Sequence, residues 1–353
     1  MHSVNDTLII LTPGFPSSVA DTTCLPLQQS FVKHFKELYP KTNIIVLSFH
    51  YPFTKTTYNW YGATIISFNG HNKRGVHKLL LRRSIQVTLK RINRTNRVTG
   101  VLSFWYGECA LTGNWFARKY NCRHYCWLFG QDARKENKYP RRVQLNPNRL
   151  IALSDFLQDE FENNHGIKPL HVIPSGVDVK QFAAAAKEKN IDILGAGSLI
   201  ALKRYDQFIG IVAAIKKERP AVKAMLIGDG PEKENLKTLI SKYDLQDNIV
   251  LTGELPHEMV LQLMQHSIVF LHPSSYEGFS GVCLEALGSG AIVISFCRAM
   301  YQDIDHWHIV NTTEEMTQKA LAALQNTNSK IVPQFPFVIT ATVKAVARLY
   351  NYS

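Results

Sequence analysis

The sequence predicts an α/β protein of two Rossmann-like domains in tandem, each a doubly wound parallel sheet. Three observations lead there. Short β-rich runs alternate with amphipathic stretches along the chain. Those runs are apolar throughout, as strands buried on both faces of a parallel sheet are. The 353 residues exceed one ordinary domain and suit two of roughly 150–175 residues each.

In the first half, Thr7–Leu11, Ile44–Phe49, Val101–Phe104, Tyr125–Phe129, Arg149–Leu153 and Leu170–Ile173 read as strands. In the second half the strands are Ile191–Ala196, Val222–Ile227, Ile249–Thr252, Ile268–Leu271 and Ile292–Phe296. Helical patterns fall between them, among them Tyr205–Glu218, Glu232–Tyr243, Glu258–Gln265 and Val282–Leu287. The stretch Ser175–Asn190, with an alanine run at 183–186 and charged residues after it, separates the halves. Asn326–Phe337 contains two prolines and sets apart a last helical pattern, Val338–Tyr350. The expected division is 1–175, 176–335 and a terminal helix in 336–353. No internal repeat or low-complexity tract is found.

Composition narrows the classes. Hydrophobic residues make up 45% and charged residues 19%, which excludes global disorder. No apolar run approaches the ~18 residues of a membrane span. Met1–Asp6 lacks the charged start of a signal peptide, so none is expected. Six cysteines are few and suit a reducing compartment, hence a cytoplasmic location. Cys122 and Cys126 have no second Cys/His pair at zinc spacing and read as ordinary thiols. The net charge of +12 is unevenly spread. Residues 1–175 hold 23 Lys/Arg against 10 Asp/Glu, a surplus of 13, whereas 176–353 hold 17 against 18. No acidic residue occurs between Glu37 and Glu108. The first half is built to meet something negative.

The densest chemical signal is His272–Ala286. A strand ends at Leu271, a small-residue loop follows, and a helix begins near Gly281. In open α/β sheets, ligands bind where strands end and helices start. Backbone N–H groups of Phe279, Ser280 and Gly281 at a helix N-terminus favour a phosphate or diphosphate. Gly278 and Gly281 allow the backbone a close approach. Glu277 and Glu285 bracket this loop, Glu285 one turn into the helix on its exposed N-terminal rim. A carboxylate can accept from two vicinal hydroxyls at once, so the pair reads as a nucleotide-sugar clamp, one acid on the ribose and the other on the hexose.

Two further turns support it. Gly195-Ala-Gly197-Ser198-Leu199 follows a strand, but no third glycine arrives, so it is not a dinucleotide fingerprint. Its useful feature is Lys203-Arg204 at a helix entrance, where cations can neutralise charge on a leaving diphosphate. Gly228-Asp229-Gly230-Pro231 is a strand-to-helix turn of the kind that lies beneath a nucleotide base.

Together, Gly-x-Gly-Ser-Leu…Lys, Gly-Asp-Gly-Pro and Pro-Ser-x-x-Glu-Gly-Phe-x-x-Val-x-Leu-Glu-Ala-x-x-x-Gly resemble the retaining glycosyltransferases of the GT-B fold, family 4. Glu277 and Glu285 match that group's Glu-x7-Glu signature. The strong resemblance covers roughly 170–297, with Ile151–Phe161 and Ile173–Asp178 similar to the segments leading into the donor domain. It implies two domains facing across a cleft, donor binding in the second, acceptor binding in the first, and a final helix crossing back to the first. It also implies retention and no bound metal, with Lys203 acting where others use Mg²⁺. The absence of metal fits a reading in which the sequence has no Asp-x-Asp motif to hold a divalent ion on the diphosphate.

Three departures stand out. Many members carry arginine where Ser198 stands; either Arg204 compensates or one cation is missing. Many carry two glycines after the first strand, where Pro13-Gly14-Phe15-Pro16 has one. Many carry a histidine in the acceptor domain where Trp127–Asp132 stands, so Asp132, with Gln131, takes the sugar-contacting position. The expected donor-contacting set is Gly14, Gly197, Ser198, Gly228, Gly230, Gly278, Phe279, Ser280, Gly281, Val282 and Glu285. The expected reacting centre is Lys203, Arg204, Glu277 and Asp132. No cofactor is expected beyond the co-substrate, a UDP- or GDP-linked sugar.

Val76–Arg97 is amphipathic, with Leu81, Ile85, Leu89 and Ile92 on one side. Lys78, Arg82, Arg83, Lys90, Arg91, Arg94 and Arg97 dominate the others. Three destinations fit: an anionic membrane surface on the inner face of the cell, an acidic or diphosphate-linked acceptor, or solvent. Nucleic acid is not expected, because no reader motif appears. Tyr51, Tyr58, Trp60, Tyr61, Trp105 and Tyr106 can stack on sugar rings or pack the core. The expected function is hexosyl transfer to a glycan or lipid-linked acceptor in surface polysaccharide synthesis. A sugar-nucleotide epimerase, a phosphorylase or a non-catalytic membrane-binding module are the other readings.

Overall fold

The computed structural model describes residues 6–182, 188–325 and 332–352. The alanine run at 183–186, the N-terminal residues before Asp6 and the start of the 326–337 stretch lie outside them. The chain forms two units. One runs to Gly176 and includes the chain from Ile339 onward; the other is Val177–Val338.

The first unit contains β1 (Asp6–Gly14), α1 (Pro26–Leu38), β2 (Asn43–Tyr51), β3 (Thr57–Trp60), β4 (Ala63–Ser67), α2 (Val76–Thr95), β5 (Arg97–Phe104), α3 (Glu108–Tyr120), β6 (Arg123–Trp127), α4 (Tyr139–Val143), β7 (Leu150–Ala152), α5 (Asp155–His165) and β8 (His171–Val172). The second contains β9 (Ile191–Ala196), α6 (Tyr205–Glu218), β10 (Ala224–Ile227), α7 (Lys233–Lys242), β11 (Ile249–Gly253), α8 (His257–Gln265), β12 (Ser267–His272), α9 (Gly281–Gly288), β13 (Ile292–Ser295), β14 (Trp307–Ile309) and α10 (Thr313–Gln325). The last helix, α11 (Ile339–Leu349), belongs to the first unit.

The first sheet runs β3-β4-β2-β1-β5-β6-β7-β8 and the second β11-β10-β9-β12-β13-β14. All pairings are parallel except β3 with β4. In chain order the second sheet reads 3-2-1-4-5-6, the order of a doubly wound dinucleotide-type fold. Central strands are buried on both faces: Leu8–Leu11, Val46–Leu47, Ile193–Leu194 and Val269–Leu271 are fully inaccessible. Every run assigned to a strand from the sequence contains one. Three strands were not foreseen. Of these, β3 is an edge strand of Thr57-Tyr58-Asn59-Trp60, and β4 inside it offers only Ile65-Ile66 between Thr64 and Ser67. The three-residue β14 is too short to show a period.

The amphipathic helix α2 stops at Thr95 because Asn96 turns extended, and Arg97 opens β5 beside Asp6. Ile85, Leu89 and Ile92 are buried as the periodicity demanded. The outward faces are less uniformly charged than expected. Val76, Leu79, Leu80 and Val87 are exposed, while Lys78 and Arg82 turn inward to Glu108.

The chain end completes the first unit. Tyr350 is buried, its ring edge-on to Tyr125 at 5.2 Å and its hydroxyl donating to the Val101 carbonyl at 2.7 Å. A side chain at Gly100 would overlap that ring. Thr342 donates to the Pro174 carbonyl at 2.8 Å.

Candidate active site

In the second sheet, β9 lies between β10 and β12, and the connections leaving β9 and β12 diverge. Divergence opens a crevice outside the carboxyl ends of those two strands. Two loops stand there, 197–204 after β9 and 273–280 after β12. They are stitched together: the backbone N–H of Ser275 donates to the Leu202 carbonyl at 3.0 Å, and the Ser274 and Ser275 hydroxyls do so at 3.3 and 3.2 Å. A short 3-10 turn, Ala201–Lys203, then places Lys203 against the second loop.

Lys203 Nζ pairs with Glu277 Oε1. Neither side chain is more than 19% exposed. His272 Nε2 reaches the same oxygen at 3.0 Å and Ser280 Oγ at 3.3 Å. Burial pushes the His272 imidazole down, so it stays neutral and donates its Nε2–H to the carboxylate. Burial alone would raise the Glu277 carboxyl, but the His272 hydrogen bond and the Lys203 charge outweigh it and hold it at about 2. Sequence reasoning passed over His272; its position at the last residue of β12, five before Glu277, was the available signal.

Ser280 is the N-cap of α9, and its side chain makes no capping bond. Among the described residues, the N–H groups of Phe279, Ser280 and Gly281 donate to no protein acceptor. Free donors at the positive end of a helix suit an anion. Phe279 is buried edge-on against Phe337, which fixes the loop; Gly278 and Val282 flank it.

Glu285 corrects one expectation. It is not on an exposed rim: its side chain is 14% exposed and accepts from His257 Nε2 at 2.8 Å. That hydrogen bond raises the His257 imidazole above its ordinary range. His257 opens α8, twenty-eight residues away, and no local pattern links the two.

Gly197, Gly228 and Gly230 all have left-handed-side φ angles of 149°, 137° and 159°. A Cβ at Gly228 would overlap the Gly197 carbonyl, and one at Gly230 would strike Leu199. These glycines therefore let the turns after β9 and β10 press together, with Gly197 N donating to Ile227 O at 3.0 Å. Ser198 is exposed at the rim. Arg204 does not join Lys203 on Glu277; its guanidinium lies 5.5 Å over the Phe296 ring.

One Asp-x-Asp tripeptide does occur, Asp303-Ile304-Asp305, against expectation. Asp303 is 88% exposed and paired with Arg298 at 2.7 Å. Among the described residues, no group of three or more His, Cys, Asp or Glu side chains could hold a metal ion.

Asp132 and Gly14 stand in the first unit. Asp132 is buried in a 3-10 turn after β6, its Oδ2 accepting the Phe129 N–H at 2.9 Å, and burial raises its carboxyl to about 7. Gly14 ends β1, where a Cβ would find ordinary contacts.

The profile of the family described as Glycosyl transferases group 1 matches residues 177–308, which hold the whole Lys203–Glu277–Glu285 constellation. The second unit is a group 1 glycosyltransferase domain. The phosphatidylinositol N-acetylglucosaminyltransferase gpi3 subunit of Schizosaccharomyces pombe is 31% identical over 164 residues, 45% of this chain and 36% of that protein. The chain spans about a third of the length of the curated relatives it matches first. Among solved structures, a glycosyltransferase from Rickettsia africae covers 98% of both chains at a TM-score of 0.72 and 16% identity. Anabaena HepE in complex with UDP-glucose covers 98% of this chain and 95% of its own at 0.67 and 16%. These likenesses give the chain the GT-B fold.

Proposed function

We propose that the chain transfers a hexosyl unit from a nucleoside diphosphate sugar to a hydroxyl of a glycan or lipid-linked acceptor, with retention and without a bound metal, in the assembly of a surface glycan. The observation that carries this reading is a fixed cation, Lys203, held against Glu277 beside three unpaired amides at the switch point of the second sheet. The amides of 279–281 and the α9 dipole take the diphosphate, and Lys203 neutralises charge as it departs. Glu277, kept ionised, orients the hexose, and Glu285 accepts from the ribose diol. With no evident enzymic nucleophile, the departing phosphate takes the acceptor proton on the same face. Relatives support a UDP-linked donor and a lipid acceptor: HepE is named with UDP-glucose and the gpi3 subunit for phosphatidylinositol.

Stability of the full chain measured against UDP, GDP, ADP and their sugars tests this directly. A ligand at a hundred times its dissociation constant adds ~2.7 kcal/mol. Stabilisation by none of them removes the reading. Nucleoside diphosphate released only with acceptor present separates transfer from epimerisation.

We also infer that α2 rests the protein on an anionic membrane. Its outward faces carry Val76, Leu79, Leu80 and Val87, 57–69% exposed, among exposed Arg83, Arg91 and Arg94. Apolar residues within a basic face suit the headgroup boundary, at ~1 kcal/mol for each cation near the surface. Co-sedimentation with phosphatidylglycerol vesicles, lost in Leu79→Ser/Leu80→Ser and absent with phosphatidylcholine, is the expected result. Equal binding by wild type and variant would refute it.

A further inference from the structure

The first unit holds a cavity of about 590 Å³, within the range of small-molecule sites. It lies outside the carboxyl ends of β1, β2, β5 and β6, at the switch point where β1 has β2 on one side and β5 on the other. Its walls do not share the unit's basic character. Its lining holds one arginine, Arg134, against the acids Glu108, Glu136 and buried Asp132, with a His50 that burial holds neutral.

Two cations behind its wall, Lys78 and Arg82, are already occupied by Glu108, which lines it. Glu108, the first residue of α3, accepts from Arg82 through Nε at 3.0 Å and Nη2 at 2.7 Å, from Lys78 at 2.9 Å, and from the Tyr139 hydroxyl. Burial would raise its carboxyl, but these three partners hold it below its ordinary range, so it is ionised. A carboxylate has about four lone-pair directions, and this one has little left for a ligand. A phosphate drawn to Lys78 and Arg82 would have to displace Glu108 from both.

The cavity offers aromatic and amide surface instead. Trp105 has φ 68°, a left-handed backbone that a bulky residue adopts only when its surroundings enforce it. Its ring stacks on Phe129 at 4.2 Å. The Gln131 side-chain amide makes no hydrogen bond among the described residues. An apolar platform with a few polar groups fits a ring that carries hydroxyls and no charge.

We propose that this cavity seats an uncharged polyhydroxyl ring of the acceptor, a sugar or cyclitol, with Trp105 as its stacking face, Gln131 as a hydroxyl partner and Glu108 keeping Lys78 and Arg82 from attracting anions. The proposal rests on the glycosyltransferase reading. Saturation-transfer NMR on the full chain, with myo-inositol, N-acetylglucosamine and inorganic phosphate as probes, tests it without turnover. At least one neutral ring should bind, phosphate should not, and Trp105→Gly, which suits the left-handed backbone, should weaken the ring about tenfold. Glu108→Gln should uncover the cations and create phosphate binding; Gln131→Ala, at the exposed rim, should weaken the ring while leaving the fold intact. Phosphate binding to the wild-type cavity, or ring binding indifferent to both Trp105→Gly and Gln131→Ala, would overturn the proposal. UDP calorimetry on the same samples distinguishes the two failures: UDP bound and no ring bound sinks only this inference, whereas no UDP bound sinks the reading beneath it.

Discussion

Replacing Lys203 with Met keeps its aliphatic stem and removes the charge beside Glu277. The folded Glu277 carboxyl sits at about 2 against its ordinary 4.5. Each pH unit of such a gap is worth ~1.4 kcal/mol, so the whole environment of Glu277 contributes at most about 3 kcal/mol at neutral pH. His272 supplies part of that and remains, and both side chains keep some water contact. The expected loss for Lys203→Met is therefore about 1–2 kcal/mol, below the 3–5 typical of a fully buried pair. Because the folded value lies below the unfolded one, this stability is complete above about pH 4.5 and lost as pH falls toward 2. Wild type and variant should differ most at neutral pH and converge in acid. Hydrogen exchange of β12 and α9 amides reads the second unit alone. Lys203→Met/Glu277→Gln should recover most of the loss. Parallel pH profiles for wild type and Lys203→Met, or a double variant weaker than the sum of its parts, would refute the reasoning.

Other outcomes follow from the same geometry. Lys203→Ala should lower turnover ~10²–10³-fold in a release assay for nucleoside diphosphate while circular dichroism stays unchanged. Gly228→Ala should destabilise the second unit by about 3 kcal/mol or more, seen as a lowered melting temperature, since the added carbon meets the Gly197 carbonyl. Glu285→Ala should weaken donor binding in calorimetry and lower the His257 imidazole in an NMR titration, since only burial, which disfavours its charged form, then remains; in wild type the protonated contact persists to higher pH and is lost as pH rises through the raised value. Asp132→Asn keeps an acceptor for the Phe129 N–H; if Asp132 touches the sugar, the wild-type kcat/KM profile bends near pH 7 and the variant's does not.

Much of the second unit was legible because its physics is local. Buried parallel strands print unbroken apolar runs, and β9, which spans Ile191–Ala196, and α6, which spans Tyr205–Glu218, match the sequence reading residue for residue. The phosphate-type loop showed itself through glycines ahead of a helix. What stayed hidden depends on partners distant in sequence. Glu277 draws its character from Lys203, 74 residues away, and Glu285 from His257, 28 away. The same holds for Lys78 and Arg82. Periodicity placed them correctly on α2, but only the fold shows that Glu108 claims both. β3 was missed because an edge strand needs no apolar run, and β4 because its apolar pair Ile65-Ile66 is too short to read as a strand.

Tyr350 gives the molecule an order of assembly. The ring that covers Gly100, and the hydroxyl that donates to the Val101 carbonyl, are translated after the whole of the second unit. The strands translated first therefore wait, with that patch of sheet uncovered, until the entire second unit has emerged. Tyr350→Ala would thus be felt by a strand 249 residues earlier in the sequence.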